Sequence, residues 1–191
     1  MSTLTLTGPR PVLADLLPRS LAGDMSLVVS GAALTGLAAQ VAIHTPLSPV
    51  PFTLQTLAVL LVGTALGVIR GVAAMALYLV AGLAGVPWFS EGEHGFVGAS
   101  FGYIVGFVLA AAVVGRLAEG GADRRVSSMV ALMALGVAVI YGIGATWLAL
   151  LSGLSPGDAL TKGVTPFLAA DAVKIAIAAL AFPVTWRLAR R

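Results

Sequence analysis

Six runs of apolar residues, at 25–43, 53–69, 71–88, 100–117, 128–151 and 165–186, are separated by short polar connections. Each approaches or exceeds the roughly 17 residues that carry a helix across a bilayer. Helical spans are therefore predicted at all six. The second and third meet at Ile69-Arg70-Gly71, which predicts a tight turn between antiparallel neighbours. Ahead of the first run, residues 1–24 hold Pro9, Pro11 and Pro18 with Arg10 and Arg19. That stretch is too broken for a cleavable signal. It is expected to be a cytoplasmic tail with an interfacial turn near 13–17. No charge run or low-complexity linker divides the remainder of the chain, so 25–191 is expected to be one transmembrane domain.

Composition supports the pattern. Of 191 residues, 59% are hydrophobic and only 10% charged, and the mean hydropathy is +1.01. No soluble domain of this size has that balance. An all-α integral membrane protein with six transmembrane helices is expected. The absence of Cys and the presence of only two His, His44 and His94, argue against thiol chemistry or a multi-histidine metal centre. No metal or cofactor is expected.

Charge sets topology. Arg10, Arg19, Arg70, Arg116, Arg124, Arg125, Arg187, Arg190 and Arg191 fall on the amino-terminal side of a six-span arrangement, and Lys162 falls opposite. The excess predicts both termini in the cytoplasm of a bacterial plasma membrane. A pI near 9.8 then reflects topology, and no nucleic-acid partner is expected.

Asp171 and Lys174 are the exceptional residues. They lie three apart within the last apolar run and share one helix face. A charge at membrane depth costs about 3 kcal/mol on insertion scales. Such a pair either fixes helix packing or grips a polar molecule. At 1.5 Å per residue, Asp171 would lie about 9 Å below the outer end of its span, within reach of an external solute. The first outer connection, His44 to Thr56, is held extended by Pro46, Pro49 and Pro51 and presents Thr53, Gln55 and Thr56. It is either a pocket wall or a rigid connector capped by Thr53. The second, 85–103, gathers Trp88, Phe89, Phe96, Phe101 and Tyr103 among glycines. Rings there suit either an apolar pocket wall or an interfacial belt. Small residues Gly31, Ala32, Thr35, Gly36 and Ala39 on the first span suit close helix packing, within the chain or as a docking face for a membrane partner.

Several segments together resemble the BioY family, the biotin-specific S-components of energy-coupling factor (ECF) vitamin transporters. They are PVPFTLQT at 49–56, LLVGTALG at 60–67, YLVAGLAGVP at 78–87, GASFGYIVG at 98–106, and Asp171-Ala-Val-Lys174. They run in order from about Gln40 to Lys174. Many relatives carry a Gly-Gly-rich segment after the Pro-aromatic pair and a Gly-Pro-Thr before Gly-Tyr. Here Ser90 to Gly95 and Ala99-Ser100 stand in those places.

The resemblance implies an S-component bundle that binds biotin with high affinity from outside. It also implies partnership with a transmembrane coupling subunit and two cytoplasmic ATPases. The sequence has no G-x-x-x-x-G-K-[ST] segment with which to bind ATP itself. In that setting Asp171 accepts from a ureido N–H and Lys174 donates to the ureido carbonyl. Trp88, Phe89 and Tyr103 pack the thiophane ring and valeryl chain, and Gln55, Thr53 and Ser100 add polar contacts. With no Arg in the outer loops, backbone N–H groups, His94 or water are left for the carboxylate. The alternatives are an S-component for another vitamin or, in a different class, an intramembrane enzyme. The latter is disfavoured because one Asp and one Lys do not make a catalytic cluster.

Overall fold

The structure, a computed structural model, describes residues 10–189. Residues 1–9 of the expected tail, and Arg190 and Arg191, lie outside the described residues.

A 3-10 turn at Leu13–Leu16 falls where the interfacial turn is expected. α1 spans Leu21–Ala39, opened by the Ser20 hydroxyl, which accepts from the Gly23 N–H at 3.0 Å. An antiparallel hairpin comes next, β1 (Ala42–Thr45) and β2 (Ser48–Thr53), with Ala42 opposite Thr53 and Thr45 opposite Ser48. The three prolines thus deny helix as expected. With only two strands, Pro49 and Pro51 deprive no further neighbour of a donor. The helices beyond it are α2 (Gln55–Leu83), α3 (Phe101–Glu119), α4 (Val126–Ser152), the short α5 (Pro156–Gly163) and α6 (Leu168–Ala189).

Among the described residues, five helical segments are long and apolar enough to cross a membrane, not six. The runs 53–69 and 71–88 are not two spans, because both fall in α2. That element is interrupted only at Gly67, at φ 78° and ψ −175°. The chain doubles back there. A Cβ on Gly71 would lie 3.0 Å from the Gly63 Cα, and the Gln55 side chain reaches the Tyr78 hydroxyl at 2.7 Å. α2 is one of the five by its whole length, and because it doubles back both of its ends lie at the same end of the bundle. The reversal comes before the expected Ile69-Arg70-Gly71 turn because only a glycine adopts that backbone conformation without strain. Gly115 of α3 presses on this point, leaving no room for a side chain between it and the Gly67–Val68 backbone.

One end of the bundle is polar and basic. Arg70, carried past the reversal into the second arm, binds Asp24 at 2.7 Å and Asp15 at 3.0 Å. It thereby ties the α2 tip to the start of α1 and to the Leu13–Leu16 turn. Glu119 accepts from the Val68 N–H at 3.0 Å, capping the second arm. At the same end the Trp186 indole of α6 donates to the buried Asp123 carboxylate just ahead of α4. The opposite end carries the β hairpin, the loop 84–97 and α5. The core between them is made by both arms of α2 with α3, α4 and α6. Leu37, Ile69, Leu150 and Leu180 are left exposed on the flanks, as lipid contact requires.

Candidate functional site: a cleft around an acid–base pair

α6 starts beside the hairpin end, so its first two turns deliver Asp171 and Lys174 beneath β2 and the start of α2. Asp171 is only 3% exposed. Lys174 Nζ donates to Asp171 Oδ1 at 2.7 Å, to the Thr56 hydroxyl at 2.8 Å and to the Thr53 carbonyl at 2.8 Å. These use all three ammonium donors. Thr56 passes its own hydrogen to Asp171 Oδ1 at 3.2 Å. Tyr141 of α4 donates to the other carboxylate oxygen, Oδ2. A buried ion pair is tolerable when both charges are compensated and hydrogen-bonded in this way.

Above the pair opens a narrow cleft, with about 590 Å³ of space between its walls when the open solvent at its mouth is included. Its walls come from β2, the start of α2, the 89–100 segment, α3, α4 and α6. The aromatic and aliphatic side is made by Phe89, Val97, Ile104, Phe107 and Phe167. Ser90 and Glu93 stand near the mouth. The Ser90 Oγ is buried without a hydrogen-bond partner. One link ties the loop to the hairpin and another ties it to the end of α1. His44 Nε2 meets Glu91 Oε2 at 2.9 Å, and the Gln40 amide donates to the Phe89 carbonyl at 3.1 Å.

Seven of the eight substrate-site residues expected from sequence border this cleft: Asp171, Lys174, Tyr103, Phe89, Gln55, Thr53 and Ser100. Tyr103 is anchored by its hydroxyl to the Gly163 carbonyl at 2.8 Å. Gln55 and Thr53 bind one another, Thr53 donating to Gln55 Oε1 at 3.0 Å. Trp88 is elsewhere. Its indole donates to the Tyr78 carbonyl at 2.9 Å, and its ring packs on Gly36 of α1. It joins α1 to α2 and does not border the cleft. His94 lines a separate shallow recess with Glu91, Glu93 and Val97.

The small residues Gly31, Ala32, Thr35, Gly36 and Ala39 are all buried inside the chain. A Cβ on Gly31 would press on Val62 and Ala74, one from each arm of α2, and Gly36 carries the Trp88 ring. This face is filled from within the protein.

Sequence reasoning missed Tyr141 and Phe167. The signal for Tyr141 was a lone phenol in the apolar run 128–151, which had no explanation as lipid-facing surface. Phe167 stacks on Phe52 of β2 with centroids 4.5 Å apart, a contact that no local pattern reveals.

An apolar bundle with a solvent-open cleft built on a buried acid–base pair is the architecture of a membrane protein with a polar site reached from one end. The chain belongs to the BioY family, whose sequence profile matches residues 10–191. It is similar to the probable biotin transporter BioY of Pyrococcus horikoshii, with 37% identity over 162 residues, 83% of this chain and 93% of that protein. It also resembles the biotin transporter BioY of Thermotoga maritima, with 38% identity over 144 residues, 72% of this chain and 82% of that one. The backbone superposes on the crystal structure of the S-component for biotin from an ECF-type ABC transporter. There the TM-score is 0.79 at 19% identity, covering 91% of this chain and 96% of the other. That likeness speaks for the fold.

Proposed function

We propose that this protein is the biotin-binding S-component of an ECF-type uptake system. Biotin enters between the β hairpin and the 89–100 segment, and its ureido ring comes to rest against Asp171 and Lys174. The single observation that carries the reading is the 2.7 Å Asp171–Lys174 pair at the floor of a solvent-open cleft, in a chain whose curated relatives are biotin transporters. A cyclic urea offers N–H donors beside a carbonyl acceptor. Asp171 keeps a lone pair for an N–H, and Tyr141 keeps phenolic oxygen lone pairs. Lys174 serves the carbonyl by releasing one of its three present acceptors, and the Thr53 carbonyl is the one at the cleft edge. Phe89, Phe107 and Phe167 supply apolar walls for the thiophane ring. Energy comes from a coupling subunit and two ATPases.

The basic end of the bundle, with Arg10, Arg70, Arg116 and Arg124 gathered near the start of α1 and the end of α6, supports an inward orientation for both termini. The cleft then faces out. Titration of the purified protein with biotin, beside riboflavin and thiamin, tests the assignment. Saturable binding of biotin alone is expected, and preference for another vitamin would overturn it.

A further inference from the structure

We infer that the site accepts ureido-ring ligands whose tail carboxyl is masked as a neutral ester or amide at least as readily as the free acid. This rests on the biotin reading and concerns the other end of the same ligand. The cleft has a direction. It shares Thr56, Asp171 and Lys174 with a narrow inner extension bordered by Leu60 and Met133. It shares Glu93 and Val97 with the surface recess. A ring held at the acid–base pair therefore sends its tail toward Glu93.

Among the described residues no Lys or Arg lines the recess that the tail approaches; His94 stands in it beside Glu93. Among the described residues, Lys174 is the only Lys or Arg that borders the cleft, and its three donors are engaged at the floor. The cleft lining holds neutral hydroxyl-bearing residues instead, Ser100 and Ser90, the latter with its Oγ buried and without a partner. A hydroxyl donates equally well to the carbonyl of an acid, ester or amide. Glu93 has no cation within 4 Å among the described residues, whereas neighbouring Glu91 is held by His44. A free carboxylate tail meets a like charge there, at an exposed position where solvent weakens the repulsion without abolishing it, and is modestly disfavoured. An amide tail adds N–H groups that Glu93 can accept.

The test is calorimetric titration of the full chain in nanodiscs with biotin, biotin methyl ester and biotinamide, repeated on Glu93→Gln. The neutral derivatives are expected to bind with Kd within about threefold of biotin or below it. Glu93→Gln is expected to shift the biotin-to-biotinamide affinity ratio toward the acid by about two- to fivefold. Neutral derivatives about tenfold or more weaker than biotin, or a ratio unmoved by Glu93→Gln, would overturn the inference while leaving biotin binding intact. If none of the three ligands binds, the biotin reading falls and takes this inference with it.

Discussion

Tyr141 donates its phenolic hydrogen to the one oxygen of Asp171 that Lys174 and Thr56 leave uncovered. The carboxylate is thus oriented from two helices and from the start of a third. Loss of that donor leaves a buried acceptor short of a partner, at a cost of about 1–3 kcal/mol. Tyr141→Phe is therefore expected to weaken biotin binding about fivefold or more, with the helical circular dichroism signal unchanged. An unaltered Kd would show that Tyr141 takes no part in orienting Asp171.

The ion pair itself separates binding from stability. Removal of Lys174 alone strands a buried carboxylate, which costs about 3–5 kcal/mol. Lys174→Met is expected to lower both Tm and biotin affinity, the latter at least about tenfold. In the double variant Asp171→Asn with Lys174→Met, no charge remains at the floor. Its Tm is expected to recover toward that of the parent while binding stays lost. A double variant as unstable as the single one would mean that the pair does not act as a compensated unit.

Neighbouring aromatics should behave differently from one another. Trp88→Ala removes the ring that sits on Gly36 and the hydrogen bond to the Tyr78 carbonyl. Such a truncation costs about 3 kcal/mol. The expected result is a lower Tm with biotin Kd changed less than about threefold in the folded fraction, because Trp88 does not border the cleft. Phe89→Ala should impair both, since Phe89 is fully buried and also forms cleft wall.

Asp15 gives the basic end a pH dependence. Its partial burial acts to raise the carboxyl pKa, but the Val12 N–H and the Arg70 guanidinium outweigh that and hold it below the usual value. A carboxyl depressed on folding contributes stability above its unfolded pKa, about 3.9. That contribution is lost as pH falls further, through the folded value. Thermal melts between pH 5 and pH 3 should therefore decline more steeply for the parent than for Asp15→Asn. Parallel declines would show that the Arg70 contact adds nothing on folding.

Much of this architecture was legible in the order of apolar and polar residues. The membrane class, the extended proline segment and the Asp171–Lys174 floor all derive from side-chain chemistry alone. The count of spans did not. A run-length argument sees apolar length, whereas the reversal at Gly67 depends on a backbone angle and on Gly63, Gly71 and Gly115 leaving room for close approach. The polar Arg70 looked like turn material, yet it lies beyond the turn and serves Asp15 and Asp24. Trp88 and Phe89 are adjacent and alike in composition, so only the path of the chain after α2 decides which of them meets the cleft. Tyr141 and Phe167 reach the site through α4 and β2 contacts that are distant in sequence.

The self-cancelling charge on α6 has an electrical corollary. Displacing one elementary charge through a 100 mV potential involves about 2.3 kcal/mol. With Asp171 and Lys174 neutralising each other across 2.7 Å, repositioning the binding floor within the bilayer does almost no work against voltage. Any charge carried along with that floor would then be the cargo's own.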